Sequence, residues 1–393
     1  MFIVYVWIIF SKHILSQLVL HVNKKIFLIL TFLFENVRIN ILKINLKERK
    51  DMSLKIGNTE LKYGLMLAPM AGVTDYSFRR LCREAGAEWI VSEMLSAKAL
   101  CYEQNTNKTN PNTMRTAAIA KISRGESPMA VQLFGSEPEF MADAARMLET
   151  GNYRGFASVE PPAAIDINMG CPVHKVVSCG EGSALMKNPT LVYDIVKATV
   201  GALEKTPVTV KIRAGFSESN KNAVEVALAA EEAGAALVCV HGRTREQMYS
   251  GRADLDIIRN VKDALKVPVV GNGDINTAAD GLYMYEYTGC DGIMVGRGAT
   301  GNPWIFTQLK NALSGKEIND ISIRERMDMA IRHLDLMIEF KGEYLAGADG
   351  KKHAAWYTKN IRGSAALRNQ LMCAEDVHEM KKILDDIGNT SEE

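Results

Sequence analysis

The chain has 393 residues and a formal net charge of +1, a length too great for one small core and suited to a large domain with an appendage. Its seven cysteines are scattered and odd in number, which argues against a disulfide framework and indicates a reducing, cytoplasmic compartment. Residues 1–50 carry a net charge of +6 and residues 51–393 carry −5, so a polyanionic partner must bind a local basic patch.

The first fifty residues differ in composition from the rest of the chain. They contain no Gly, Ala, Pro, Asp or Cys, as expected when AT-rich DNA is read as codons. Their apolar runs MFIVYVWIIF and IFLILTFLF are shorter than the roughly 18 to 20 residues that span a bilayer. We interpret residues 1–51 as a non-native or disordered extension that precedes a native start at Met52. A weak membrane anchor is the alternative.

From Leu65 onward the chain repeats a short β-branched run, a polar loop and a helical stretch. The predicted strands are 65–69, 89–94, 129–134, 164–169, 208–213, 236–242, 267–273 and 292–296. Eight strands that alternate with helices predict a (β/α)8 TIM barrel over residues 52–318, with the active site at the C-terminal ends of the strands. An open doubly wound sheet is the alternative.

The hexapeptide GRGATG, residues 296–301, matches the G-x-G-x-x-G pattern of dinucleotide-binding sheets. That pattern also needs an acidic residue at the end of a second strand about 20 residues further on, and no second strand follows here. In a barrel, the loops after the seventh and eighth strands form a phosphate site instead. The stretches GNGDI (271–275) and GRG (296–298) fit such a site.

A set of mostly polar residues and glycines lies at, or just after, the ends of the predicted strands. Each has a structural explanation by itself, but together at one barrel mouth they predict a single functional site. We expect no metal there, because no His/Cys/Asp cluster has metal-ligand spacing. The residues are Pro69, Met70, Ala71, Glu93, Gln132, Asn168, Cys171, Lys211, Arg213, His241, Arg243, Asn272, Gly273, Asp274, Gly296 and Arg297.

Beyond residue 318 only helical patterns remain, which predicts a small helical domain over 319–393. Its segment 351–368 contains five Lys or Arg and no acidic residue, and this unmixed charge favours an RNA-binding surface. Helical spacing would place Lys352, Lys359 and Arg362 on one face. A stripe expected to pack the core consists of Met327, Ile331, Leu334 and Ile338. The predicted RNA-binding residues are Lys351, Lys352, Lys359 and Arg362, with Arg213, Arg243 and Arg245 at the barrel mouth.

The chain contains, in this order, the motifs LAPMAGVTD, NMGCPV, VKIR, HGRT, GNGDI and VGRG. Their order and spacing resemble those of the tRNA-dihydrouridine synthases, above all the bacterial B-type group, from about Leu61 to about Ile387. The resemblance implies an FMN enzyme that uses NADPH, or NADH, to reduce the 5,6 double bond of particular uridines in tRNA. We expect a monomer without a stable protein partner.

The resemblance also implies roles for single residues. Cys171 matches the donor of the proton that uracil C5 receives after hydride from FMN N5 reaches C6. A thiol with a reference pKa of about 8.5 is still protonated at pH 7, as a donor must be. Asn168 is expected to bind the uracil edge, and Lys211 to place positive charge near flavin N1 and O2. The other expected FMN contacts are Pro69, Met70, Ala71, Gln132 and His241 along the ring, and Asn272, Gly273, Asp274, Gly296 and Arg297 around the phosphate.

Two further functions stay open at this point. The first is an FMN-dependent reductase or dehydrogenase of a free pyrimidine, of the dihydroorotate type, which has no use for a basic helical tail. The second is a flavin-bearing protein that binds tRNA without reducing it, against which the intact Cys171 argues. Of the other cysteines, Cys82, Cys239 and Cys290 are expected in the core, and Cys179 in a glycine-containing loop that could touch RNA.

Overall fold

The computed structural model describes residues 53–104, 119–152 and 160–390 of the chain. The predicted extension over residues 1–51 and the predicted start at Met52 lie outside the described residues. All of these described residues belong to one compact unit. Within the described ranges, no helix is both long enough and apolar enough to cross a membrane.

Eight parallel strands close into a barrel in their order along the chain. They are β3 (Leu65–Leu67), β4 (Trp89–Ser96), β5 (Met129–Phe134), β6 (Ala164–Met169), β7 (Val208–Arg213), β8 (Leu237–His241), β9 (Val269–Asn272) and β10 (Gly292–Val295). Every predicted strand is confirmed, and β5, β6 and β7 have the predicted bounds. The last strand pairs with the first, since Ile293 is in register with Leu65. The predicted TIM barrel is therefore correct, and the open sheet is excluded.

Helices follow the strands and cover the outside of the barrel. They are α1 (Tyr76–Glu84), α2 (Ala97–Gln104), α3 (Pro138–Thr150), α4 (His174–Val177), α5 (Pro189–Ala202), α6 (Ala223–Glu232), α7 (Leu255–Ala264), α8 (Ala278–Thr288) and α9 (Ile305–Leu313). Side-chain caps fix where several of them begin. Asp75 accepts a hydrogen bond from the backbone N–H of Phe78, and Thr277 and Asp280 form a capping box. The hexapeptide 296–301 contains a short 3-10 turn, Arg297–Ala299, that follows the last barrel strand, and it is not a dinucleotide fingerprint.

A hairpin that the sequence did not predict covers one end of the barrel. Its strands are β1 (Leu54–Ile56) and β2 (Thr59–Leu61), which pair in antiparallel fashion. Leu54, Ile56 and Leu61 are buried in one cluster with residues from the starts of barrel strands, such as Trp89 and Ala164. The N-terminal end of the barrel is thereby closed with apolar side chains, which leaves the C-terminal end for polar chemistry.

Four helices follow the barrel: α10 (Ile323–Lys341), α11 (Glu343–Tyr357), α12 (Ser364–Cys373) and α13 (Val377–Asn389). The predicted stripe is confirmed as core, because Met327 and Leu334 are buried and Ile331 and Ile338 pack against the same cluster. Helix α10 lies against α1, where the rings of Tyr76 and Phe340 stack at 4.7 Å. The separation of residues 319–393 as a domain of their own stays a prediction.

The basic segment is not one continuous helix, contrary to the prediction. Helix α11 ends at Tyr357, and the next helix begins only at Ser364, after Gly363 in the left-handed conformation. Lys359 and Arg362 therefore lie in the connecting turn and share no helix face with Lys352. The helical spacing failed because the backbone is left-handed at Asn360 (φ = +64°) and at Gly363 (φ = +74°), which no continuous α-helix allows.

Candidate active site

A cavity of about 870 Å³ opens at the C-terminal ends of the barrel strands. Most of the predicted site residues line it: Pro69, Met70, Ala71, Gln132, Asn168, Cys171, Lys211, Arg213, His241, Asn272, Gly273, Asp274, Gly296, Arg297 and Lys359. They meet because parallel strands all end at one mouth of a barrel. Its size is within the range of pockets that bind cofactors and other small ligands.

A chain of amide hydrogen bonds runs along one wall of the cavity. The nitrogen of the Asn168 carboxamide donates to Gln132 Oε1 (2.9 Å), and Asn168 Oδ1 accepts from the backbone N–H groups of Gly170 (3.2 Å) and Cys171 (2.8 Å). The Asn168 nitrogen also lies 3.8 Å from the thioether sulfur of Met94, a weak acceptor. Asn168 thus fixes the loop that carries Cys171.

The Cys171 side chain is half-buried at the cavity wall. Burial raises the pKa of its thiol above the ordinary value, although a backbone N–H near Val173 and the charge of Arg213 act in the opposite direction. The thiol is therefore protonated at neutral pH. A protonated sulfur beside a cavity can donate a proton, which is the property that the resemblance requires.

The 3-10 turn Gly182–Lys187 supports the Cys171 loop from behind. The backbone N–H of Ser183 donates to the Cys171 carbonyl (3.1 Å). Gly182 has φ = +58°, and a Cβ atom there would lie 2.9 Å from the Cys171 carbonyl oxygen and 3.1 Å from Cys171 Cβ. Only glycine fits at this position without displacing the thiol.

We expect Gly182→Ala to lower kcat at least about tenfold, because small displacements of a reacting group cost up to about 10²-fold in rate. Gly180→Ala is the matched control: Gly180 also has positive φ (+78°), but nothing lies within 4 Å of its would-be Cβ. Both variants should lose about 1–2 kcal/mol of stability from backbone strain, seen in thermal unfolding. Equal kcat values for the two variants would contradict the support role of Gly182.

Lys211 and His241 lie on the next two strands, β7 and β8, and Lys211 is in register with Asn168. The Lys211 ammonium makes one hydrogen bond to the described residues, to Asn272 Oδ1 (3.1 Å), and Asn272 in turn donates to the Met294 carbonyl (2.7 Å). Burial lowers the pKa of Lys211, and burial together with nearby cations holds the pKa of His241 well below its ordinary value. His241 is therefore neutral at pH 7 and able both to donate and to accept a hydrogen bond.

The two glycine-containing loops predicted as a phosphate site meet at the cavity rim. Asp274, at φ = +53°, accepts from Arg243 (2.7 Å) and lies 3.9 Å from the Arg297 guanidinium, which stacks on Tyr249. A Cβ atom on Gly298 would lie 2.0 Å from the Ile275 carbonyl oxygen. The two loops therefore pack directly against each other at Gly298, where no side chain would fit.

Two predicted RNA-binding arginines have other surroundings than expected. Arg213 is 3% exposed, and its guanidinium donates to the carbonyl oxygens of Gly170 (2.7 Å), Thr244 (2.9 Å) and Met248 (3.0 Å). Arg243 is 2% exposed, so its predicted place on an exposed RNA surface is wrong. Both side chains tie barrel loops together, because a guanidinium at or just beyond a strand end can donate to several loop carbonyls at once.

Of the other predicted RNA-binding side chains, only Lys359 lines the cavity. The Lys352 ammonium lies 3.7 Å from the position of a Cβ on Gly72. Lys351 turns away and donates to the Met372 carbonyl (3.0 Å). Arg362 is exposed in the turn after α11, outside the cavity lining. Arg245 stacks over the ring of Phe216 at 5.3 Å, also outside that lining.

The cavity has lining residues that the sequence did not single out as site residues. They are Met94, Tyr249, Thr300 and Trp356, among others. Met94 is the last residue of a predicted strand, 89–94, and this position was an available signal. Tyr249 and Trp356 reach the mouth from a loop and from the helical region, and strand-end reasoning does not find such residues.

The remaining cysteines divide as expected. Cys82, Cys239 and Cys290 are buried, which confirms the prediction, and Cys101 is buried as well. Cys179 is exposed and is absent from the cavity lining. Among the described residues, no group of three or more His, Cys, Asp or Glu is arranged to hold a metal ion.

The fold and the cavity define a (β/α)8-barrel enzyme with a polar site at the barrel mouth. A family model for dihydrouridine synthases matches residues 66–391. A protein of Rickettsia conorii described as a probable tRNA-dihydrouridine synthase is 41% identical over 324 residues, 82% of this chain and 92% of that one. The tRNA-dihydrouridine synthase B of Vibrio parahaemolyticus is 41% identical over 318 residues, 80% of this chain and 92% of that one. The chain belongs to the dihydrouridine synthase family, and it is an oxidoreductase that resembles the B-type tRNA-dihydrouridine synthases.

Proposed function

We propose that the protein binds FMN and uses NADPH, or NADH, to reduce the 5,6 double bond of specific uridines in tRNA, with Cys171 as the proton donor. The observation that carries the proposal is the meeting of Cys171, Asn168 and Lys211 around one cavity in a chain of this family. Family membership favours tRNA over a free pyrimidine as the substrate. The free thiols of all seven cysteines support a reducing, cytoplasmic compartment.

The residues of the cavity fit an anionic flavin. A buried charge is stable only when it is paired, and the Lys211 ammonium has just one amide oxygen as its hydrogen-bond partner among the described residues. Its two remaining N–H groups suit the N1 and O2 side of a flavin. Gly273 and Gly298 line the cavity, and glycine backbone without a side chain suits a phosphate, while Pro69 and Met70 add apolar atoms that suit the ring.

When bound, reduced FMN supplies the hydride that adds to uracil C6. Cys171 supplies the proton to C5, and its raised pKa keeps that proton in place until transfer. The second N–H of Asn168, held only by the Met94 sulfur at 3.8 Å, is free to donate to a uracil carbonyl. Neutral His241 adds a hydrogen-bonding group without adding charge.

The proposed tRNA surface is the basic segment beside the cavity. Several other cations of the helical region are paired with carboxylates, as Lys341 is with Asp75 (2.7 Å) and Lys381 with Asp335 (2.6 Å). By contrast, none of the five cations of segment 351–368 has an ion pair with a carboxylate among the described residues. Unpaired cations beside a cavity are what phosphate binding requires.

Flavin binding tests the proposal directly. We expect the purified protein to be yellow, with about one FMN per chain, and Lys211→Ala to weaken FMN binding about 10- to 100-fold, the cost of a lost charge-assisted hydrogen bond. Lys197→Ala, on the exposed face of α5, is the control and should bind FMN like the wild type. A colourless protein that does not take up added FMN would show that the proposal is wrong.

A further inference from the structure

A buried carboxylate lies beneath the cavity floor and takes no part in the mechanism described so far. Asp166 is 4% exposed, lies on the inner face of β6 and does not line the cavity. Its two oxygens accept short hydrogen bonds, one from the Thr209 hydroxyl and one from the Gln132 amide nitrogen, both at 2.6 Å. These partners are the residues directly beside it in register, on β7 and on β5.

The charge of Asp166 dictates the orientation of two amides in sequence. A carboxylate can only accept, so Gln132 must present its NH₂ group to Asp166 and its oxygen to Asn168. Asn168 must then present its NH₂ group to Gln132. Its oxygen is thereby directed at the backbone N–H groups of Gly170 and Cys171, which can only donate.

We propose that ionised Asp166 is a positioning residue: through Gln132 and Asn168 it holds the Cys171 loop in the geometry for proton transfer. The inference rests on the proposed function, because it assumes Cys171 as the proton donor. Asp166 touches neither the cavity nor the Cys171 loop, so its effect must pass through the two amides. We call Asp166, Gln132 and Asn168 the amide relay.

Protonation of Asp166 removes the constraint that fixes which end of each amide in the relay faces its neighbour. The neutral acid has one donor and one acceptor oxygen, and because the Thr209 hydroxyl can accept as well as donate, the proton can lie on either oxygen. When it lies on Oδ2, the atom that faces Gln132 becomes a donor and favours the reversed amide. A reversed Gln132 places its nitrogen against Asn168 Nδ2, and a reversed Asn168 places its own nitrogen against the N–H groups of Gly170 and Cys171. Donor then faces donor, and the loop loses its two hydrogen bonds.

The groups around Asp166 place this titration near the working pH. The titratable groups that face it are the Lys211 ammonium on β7 and the Cys239 thiol on β8, while β5 contributes only the neutral Gln132 amide. Burial raises the pKa of Asp166 to about 6, and the hydrogen bond from Thr209 opposes that rise. Asp166 is therefore ionised above about pH 6, where the relay is ordered, and becomes protonated below it.

Three variants test the amide relay. Asp166→Ala should lower kcat about 10- to 100-fold, with a smaller change in the KM for tRNA and with FMN still bound. We expect kcat/KM of the wild type to fall below about pH 6, and this acid limb should disappear in Asp166→Asn, which carries no titrating group at this position. Thr209→Val removes a hydrogen bond that favours the ionised form and should move that limb to higher pH.

Hydrogen exchange supplies a readout that does not depend on activity. In flavin-free protein, the backbone amides of Gly170 and Cys171 should exchange at least about tenfold faster in Asp166→Ala than in the wild type at the same pH. Exchange elsewhere in the β6 strand should change less. If the wild type makes no dihydrouridine, the proposed function fails, but these exchange rates still report on the relay.

An unchanged acid limb in Asp166→Asn, or wild-type exchange at Gly170 and Cys171 in Asp166→Ala, would overturn the inference. If Asp166→Ala does not fold, the pH profile of Asp166→Asn and the shift in Thr209→Val decide the question. A purely structural role for Asp166 would reduce stability in all three variants but would not move the acid limb.

Discussion

Replacing Cys171 with alanine is expected to lower the rate of dihydrouridine formation about 10²- to 10⁴-fold, the usual cost of losing a positioned general acid. The thiol lies at the cavity wall, and its raised pKa keeps it protonated. Alanine leaves the loop contacts of the backbone in place but carries no proton to donate. Single-turnover formation of dihydrouridine in defined tRNA measures the effect.

The control for that experiment is Cys179→Ala. Cys179 is exposed, lies outside the cavity lining and is eight positions from Cys171. It should keep a rate within about twofold of the wild type, since exposed substitutions away from a site have small effects. FMN content and tRNA affinity should be the same in both variants. A Cys171→Ala variant with wild-type turnover would return this cysteine to a packing role.

The second large effect is expected for tRNA binding when Lys352 and Lys359 are both changed to glutamate. Lys359 lines the cavity and Lys352 lies beside Gly72, so both can meet phosphates of a tRNA whose uridine enters the barrel. We expect the Kd to rise at least about tenfold, and the slope of log K against log salt to fall by roughly 0.7 to 0.9 per lost contact. Filter binding at several salt concentrations measures both quantities.

A matched charge reversal separates a local contact from a change in total charge. Lys197→Glu with Lys205→Glu alters the net charge equally, at exposed positions on α5 and just before β7, near the hairpin end of the barrel. This control should keep the wild-type slope. If the Lys352/Lys359 variant and the control bind tRNA equally well, segment 351–368 is a folding element and tRNA recognition lies in the barrel loops.

The barrel and the position of its site could be predicted from the sequence for a simple reason. The apolar runs of β5, β6 and β7 begin and end where the strands do, and residues such as Asn168 and Lys211 follow at one barrel mouth by topology alone. Strand-end position also found Gln132. Strand-end position could not predict the hydrogen bond from Gln132 to Asp166. That bond joins two neighbouring strands, and the register between them cannot be read from the sequence of either strand.

The errors have a common physical origin in tertiary contacts. Arg243 was expected at the surface, but Asp274 and two loop carbonyls bind its guanidinium and bury it. The helix predicted through Lys359 stops where Thr358 and Gly363 close a turn. The hairpin of β1 and β2 escaped prediction because each strand has only three residues, too few for an alternating pattern.

The central claim, that this chain reduces uridines in tRNA, is tested most directly by mapping dihydrouridine in tRNA from a strain that lacks the gene. We expect at least one dihydrouridine position to be missing from that tRNA. The position should return when the wild-type gene is restored and stay absent when the restored gene encodes Cys171→Ala. A complete set of dihydrouridines in the deletion strain, or full restoration by the Cys171→Ala gene, would contradict the claim.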